Sequence, residues 1–230
     1  MRARITLLSI VLIIPFVCPL FAAAETFDSM DYLPDYDSGN AAPWSWGVPR
    51  YQLYFSKDLL NGYQGNIDKI TFFAWPGSQF PDITYELSIF ISSTNRTTAG
   101  LSGTNLEENH GEDKTLVFSG PLDLTWPEFV IDVDNVYNYT NTANLLIDFY
   151  FHTTSPQDGL FNEDVFFFQA FSFNDQPDIA RTYTDLINGP DVILNSSAGA
   201  LRTQIDFTEV PEPASLLLFA FGGLALRRKC

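Results

Sequence analysis

Aromatic and β-branched residues recur with a period of two along much of this chain, and that alternation restricts the fold more than any other feature. In residues 84–91, Tyr85, Leu87, Ile89 and Ile91 share one face while Glu86 and Ser88 take the other. This is the pattern of an antiparallel strand with one buried and one polar side. Segments 50–55, 67–73, 114–119, 128–133, 144–152, 165–173 and 200–207 read the same way, punctuated by Gly, Pro, Asn and Asp. Between the two termini no segment holds i, i+3, i+4 spacing over three turns, although 56–60 is compatible with a single helical turn. Strands at this spacing predict an all-β, jelly-roll-like antiparallel β-sandwich around a Phe, Ile and Leu core. An immunoglobulin-like topology is the alternative, and it lacks the usual paired cysteines.

The two ends have a different character. Arg2 and Arg4 precede a long apolar stretch, 5–21, which closes on Ala22, Ala23 and Ala24. That order predicts a signal peptide over 1–24, with the mature chain starting at Glu25. Residues 25–46 are rich in Asp, Gly, Asn and Pro and predict an irregular lead-in to a β-sandwich domain spanning 25–209. At the other end, Pro211 and Pro213 forbid continuation of the strand before them. Residues 214–226 form an apolar run of 13 residues, about 20 Å as a helix against a hydrocarbon core of about 30 Å, so snorkelling or local thinning would be needed to seat it. Arg227, Arg228 and Lys229 then supply a basic stop that favours the cytoplasmic side.

Val210, Pro211, Glu212 and Pro213, the apolar stretch containing Gly222 and Gly223, and the terminal basic triplet resemble the sorting tail of PEP-CTERM proteins of biofilm-forming bacteria. The resemblance covers 210–230 and implies a membrane-embedded exosortase-type enzyme as partner, cutting near the Pro-Glu-Pro element. It implies membrane association through a C-terminal transmembrane sorting helix before processing, and then a place at the cell surface or in the extracellular matrix. The run is short for that family, and Cys230 ends the chain where arginine is usual. An ordinary membrane anchor is the plainer reading of the same residues. A looser resemblance, carried by 65–73, 85–91 and 144–148, is to β-sandwich modules of bacterial surface proteins, which are mainly adhesive or structural.

Removing both ends takes away Cys18 and Cys230, the only cysteines, so the body relies on no disulfide or thiolate. Residues 25–209 hold 27 acidic and seven basic side chains, a net charge of −20. Such a surface repels phosphate backbones, which argues against nucleic-acid binding, and it equally serves plain solubility.

Catalytic signals are sparse. No nucleophile elbow and no His-Glu-x-x-His motif occurs, and the only histidines, His110 and His152, fall in a predicted loop and at a strand end. A polar loop histidine of this kind is expected to be solvated. Residues 93–113 form an unusually long polar connection, expected to be either functional or disordered. Asp35 and Asp37, and Asp132 and Asp134, are candidate calcium ligands, although the glycine after the first pair is one place early for an EF-hand and each pair also reads as a solvated acidic segment. Calcium is the only cofactor these residues suggest. Trp44, Trp46, Trp75 and Trp126 stand beside Gly, Pro or loop residues, and each offers either a stacking platform for a sugar ring or a lid on the sandwich.

The sequence therefore predicts an exported, non-enzymatic surface or matrix protein with an adhesive or structural role. A carbohydrate-binding or carbohydrate-degrading jelly roll acting on extracellular polysaccharide is the alternative.

Overall fold

The computed structural model describes residues 23–32, 38–40, 48–78, 84–123, 127–152, 167–171, 177–184, 193–196 and 200–210. Ala23–Val210 forms one compact unit. Its strands are β1 (Ala24–Asp28), β2 (Ser38–Asn40), β3 (Arg50–Phe55), β4 (Gly65–Phe73), β5 (Thr84–Thr94), β6 (Thr115–Asp123), β7 (Glu128–Tyr139), β8 (Asn144–Phe151), β9 (Phe168–Ala170), β10 (Ile179–Thr184), β11 (Ile193–Ser196) and β12 (Thr203–Thr208). They form a four-stranded sheet in the order β1-β12-β4-β7, a six-stranded sheet in the order β11-β10-β3-β8-β5-β6, and a short β2-β9 pair. Every pairing is antiparallel. Helix among the described residues is limited to three short 3₁₀ turns, and none is long and apolar enough to cross a membrane.

The alternation read from the sequence sets the core. Ile67, Ile70, Phe72, Phe129, Ile131 and Phe207 of the four-stranded sheet meet Tyr51, Leu53, Phe55, Leu87, Ile89, Ile147 and Phe149 of the six-stranded one. Phe72 lies 5.8 Å from Phe149 and Phe27 lies 6.1 Å from Phe55, centroid to centroid, so aromatic rings span the gap between the sheets. Each such ring, fully buried, contributes about 1.5–3 kcal/mol by leaving water.

The segment expected to be an irregular lead-in is corrected in its first residues. Ala24–Asp28 is a strand, β1, paired with β12 from Ala24↔Thr208 to Asp28↔Gln204. Only Phe27 of β1 is fully buried, so one aromatic supplies a signal too weak for a sequence reading of strand. Strands β10 and β11 likewise add to the expected set, because 179–184 carries Arg181, Thr182 and Thr184 instead of a clean alternation. The expected strand at 165–173 is shorter, Phe168–Ala170, within the described residues. Residues 1–22 and 211–230, which hold most of the expected signal peptide and the apolar tail run, lie outside the described residues; Ala23 and Ala24, the last two residues of the expected signal peptide, are described, and Ala24 opens β1.

The end of β12 presses on the start of β4. Gly65 has φ +126°, and a β-carbon there would stand 2.4 Å from the Thr208 carbonyl oxygen. Only glycine lets the two backbones approach so closely. Gly62 has φ +96° with nothing within 4 Å of the same position. Gly65→Ala is expected to cost about 2 kcal/mol or more in urea denaturation, from clash added to strain. Gly62→Ala should cost about 1 kcal/mol, from strain alone. Equal losses would show that the contact with Thr208 carries no weight.

Candidate functional site

The outer face of the six-stranded sheet carries the densest polar cluster among the described residues. Alternation turns Arg50 and Gln52 of β3, Ser92 of β5, and Asp148 and Tyr150 of β8 away from the core, and register places Gln52 beside Asp148 and Arg50 beside Tyr150. Over this face folds the connection between β5 and β6. It contains the 3₁₀ turns Thr98–Gly100 and Leu106–Asn109, so the long loop is an ordered strap. Arg96 fastens the two turns together, donating from Nε to the Glu108 carbonyl at 2.7 Å and from Nη1 to the Gly100 carbonyl at 2.7 Å. Leu101 packs with Tyr54, Leu146 and Ala180 in a small second core beneath the strap.

Asp148, with a fully buried side chain, is the hub. It accepts from Arg50 Nη2 at 2.6 Å, Gln52 Nε2 at 2.9 Å and His110 Nε2 at 2.6 Å. Gln52 also donates to the Leu106 carbonyl at 3.0 Å and accepts from Asn109 Nδ2 at 2.9 Å, which ties the strap to β3. Burial opposes ionisation of Asp148, but His110, Arg50 and Gln52 together hold its carboxyl below the usual range. Glu107 follows the same logic: burial works against it, while hydrogen bonds from Tyr150 and Lys114 and the Arg50 charge bring it down to about 2. Arg50 also lies 4.3 Å over the Tyr150 ring, a cation–π contact.

His110 is buried within this network, which corrects the expectation of a solvated loop histidine. Its Nε2 donates to the Asp148 carboxylate, and Nδ1 lies 2.8 Å from Ser92 Oγ. Serine, histidine and aspartate thus stand in one hydrogen-bonded line. Ser92 and Asp148 are wholly buried, however, and a nucleophile must reach its substrate. The line fastens the strap; it does not expose a reactive oxygen. His152 contacts Ser88 Oγ through Nε2 at 2.8 Å, at the end of β8. The sequence signal for the hub is Asp148 itself, a lone acid in the apolar stretch Leu145-Leu-Ile-Asp-Phe-Tyr-Phe151.

A second constellation lies where the chain leaves the sandwich. β12 is held on one side by β4 and on the other by β1, and beyond Thr208 the Glu209 N–H donates to the Ala23 carbonyl at 3.0 Å. The two ends of the body are therefore adjacent. The family model for the PEP-CTERM protein-sorting motif matches residues 209–229. The chain carries a PEP-CTERM sorting motif. That motif marks an exported protein sorted by an exosortase to the cell envelope or surface. It begins one residue after β12 ends, so almost no linker separates sandwich and signal. No match was found among curated proteins or solved structures. Glu209 and Val210 are exposed, whereas Pro211, Glu212, Pro213, Arg227, Arg228 and Lys229 lie outside the described residues.

The other candidate residues are scattered. Trp75 is partly exposed after β4, its backbone N–H donating to the Phe167 carbonyl at 2.8 Å. Trp44, Trp46, Trp126, Asp35 and Asp37 lie outside the described residues. Asp132 and Asp134 are on β7, Asp132 opposite Lys69. Among the described residues no three His, Cys, Asp or Glu side chains are grouped so as to hold a metal ion.

Because Asp148 and Glu107 are depressed in the folded state, they contribute stability above the ordinary carboxylate range that is lost in acid. For Glu107 the loss runs from about 4.5 down to about 2. Asp148→Asn leaves the Arg50 charge without its buried partner and is expected to cost about 3–5 kcal/mol at pH 7. In denaturant titrations the gap between variant and parent should narrow as pH falls below the ordinary carboxylate range, because the Asp148 carboxyl is held below it in the folded state. A gap independent of pH would mean that the Asp148 charge does not hold the strap.

Proposed function

We propose that this protein is cargo of the exosortase system whose β-sandwich serves as an adhesive or structural, non-enzymatic component of the extracellular polysaccharide matrix. The observation that carries this reading is the position of the sorting motif directly behind β12, a strand paired on both sides. Cutting near the Pro-Glu-Pro element would deliver the sandwich as a unit to the surface. The strap supports a structural role, because its polar groups are spent on holding the loop to the sheet. The chain passes between the two main sheets at β3/β4, β4/β5, β6/β7, β7/β8 and β11/β12, which favours the jelly-roll-like reading of the topology.

The test is to replace Pro211, Glu212 and Pro213 with alanine while keeping the apolar run and the basic stop. Membrane insertion is expected to survive, and the variant should accumulate in the membrane fraction as an uncut species and disappear from the surface fraction, as read by intact mass and fractionation. Maturation like the parent's would reduce the tail to an anchor and overturn the proposal.

A second reading, carbohydrate binding, is favoured by half-buried Trp75 and exposed Phe167, which are joined through their backbones beyond the end of β4. Under that reading, Trp75→Ala should lower retention on the native polysaccharide about tenfold, since loss of one stacked ring removes on the order of 1 kcal/mol or more. Unchanged retention would leave the structural reading alone.

A further inference from the structure

Arg181 lies in β10 opposite Leu53, between Ile179 and Tyr183. Those three neighbours all belong to the main core, so strand alternation sends the Arg181 side chain toward the interior as well. Its Nε and Nη1 are buried and have no hydrogen-bond partner among the described residues. The Tyr183 ring cushions it, with the guanidinium carbon 5.0 Å from the centroid. Beside it stands Tyr51, fully buried, whose hydroxyl lies next to the guanidinium itself and to the Leu201 backbone, with a hydrogen bond of full geometry to neither. The Tyr51 and Tyr183 rings stack at 6.1 Å, which fixes both phenols against the arginine. Burial pushes the Tyr51 phenol well above its ordinary value, so it keeps its proton and can donate it in a hydrogen bond.

An unpaired interior guanidinium is costly and cannot escape by losing its proton. The rest of the body handles its bases differently. Arg50, Lys69, Arg96, Lys114 and Arg202 each pair with a carboxylate, and Lys57 is exposed. Although 25–209 contains 27 acidic residues, no carboxylate among the described residues forms an ion pair with Arg181. Among the described residues the guanidinium therefore has no counter-charge. Arg181 is half-buried as a residue, while its Nε and Nη1 are covered.

We infer that the Arg181 guanidinium and the Tyr51 hydroxyl form a binding site for a single carboxylate group, supplied by a small organic acid or by an acidic sugar residue. A planar monoanion balances one guanidinium and accepts from both donors, and arginine suits carboxylate geometry in particular. A dianion such as phosphate would overcompensate one cation inside a body whose net charge of −20 already repels anions. The site stands on the geometry of Arg181 and is independent of the sorting step.

The experiment is thermal unfolding of the full chain in sodium acetate, sodium glucuronate or inorganic phosphate, each against sodium chloride at equal ionic strength. Both carboxylates are expected to raise the melting temperature in a saturable way. A larger rise with glucuronate assigns the acidic sugar as source, and equal rises assign a small organic acid. Arg181→Met should abolish the response while leaving the ligand-free melting temperature unchanged or higher, because an apolar side chain replaces an unpaired charge. Tyr51→Phe should fold normally and weaken the carboxylate response roughly tenfold, the loss of one hydrogen bond to a charged group. The inference is overturned by any of four results: no saturable rise above chloride, a larger response to phosphate, a response retained in Arg181→Met, or ligand-free destabilisation of that variant, which would reveal a partner for the guanidinium.

Discussion

A carboxylate with no solvent exposure can stay charged only if donors surround it, and the ordered part of this sandwich outside its core depends on how Asp148 meets that requirement. Its donors come from two elements of the chain: Arg50 and Gln52 from β3, and His110 from the strap. Strand pairing alone brings Gln52 beside Asp148. His110 is 38 residues away in sequence, and its contact commits the whole β5–β6 connection to one path. Once His110 is placed, Asn109 reaches Gln52, the Leu106 carbonyl finds its donor, and Leu101 covers Tyr54 and Leu146. A long polar loop thus becomes a second layer on a sheet that would otherwise expose apolar and polar residues together. The network is cooperative in the sense that each member fills a donor or acceptor another would leave empty.

The strap also changes what the sandwich presents to its surroundings. Its acids fall into two groups: those drawn into the network, Asp148 and Glu107, and those left on the outside, such as Glu112 and Asp123. Buried Asp148 takes up Arg50, and Glu107, on the exposed side of the same network, pairs with Arg50 and Lys114, so positive charge is consumed in fastening the loop and negative charge is left for solvent. This explains in structural terms why a body with a net charge of −20 still folds around buried ions. The charge imbalance sits on the surface, where water and counter-ions screen it, and the interior pairs are close to neutral.

How far the sequence can be read depends on the same division. The period-two strands β3, β4, β5, β7, β8 and β12 are legible because their alternation is enforced by one shared core, and Tyr85, Leu87, Ile89 and Ile91 point inward as their spacing requires. The sorting motif is legible because it is a local pattern, independent of tertiary contacts. β1 is not, because a sheet-edge strand with a single buried residue, Phe27, needs its partner β12 to define it. His110 escapes a sequence reading for a related reason. Nothing local to Asn109-His-Gly111 announces burial, and only strand register, which places Arg50, Gln52 and Asp148 on one face, creates the site that receives it. Arg181 breaks the pattern of β10 and so hides the strand, although the break is its most informative feature.

The pairing of β1 with β12 ties the two termini of the body into one order of events. β12 cannot be completed on its outer side until β1 has docked, and the Glu209 N–H reaches the Ala23 carbonyl only when it has. The sorting motif starts at that same residue, 209. Since β12 is the last strand of the body to leave the ribosome, the remainder of the sandwich is available to receive it before the tail can be presented. Gly65 reinforces this order, because β12 closes against the first residue of β4 with no space for a side chain. In the folded body every residue of β12 up to Thr208 is held by its neighbours in the sheet. The last strand of the body is thus fixed by backbone hydrogen bonds to β1 and β4 up to the residue before the motif begins.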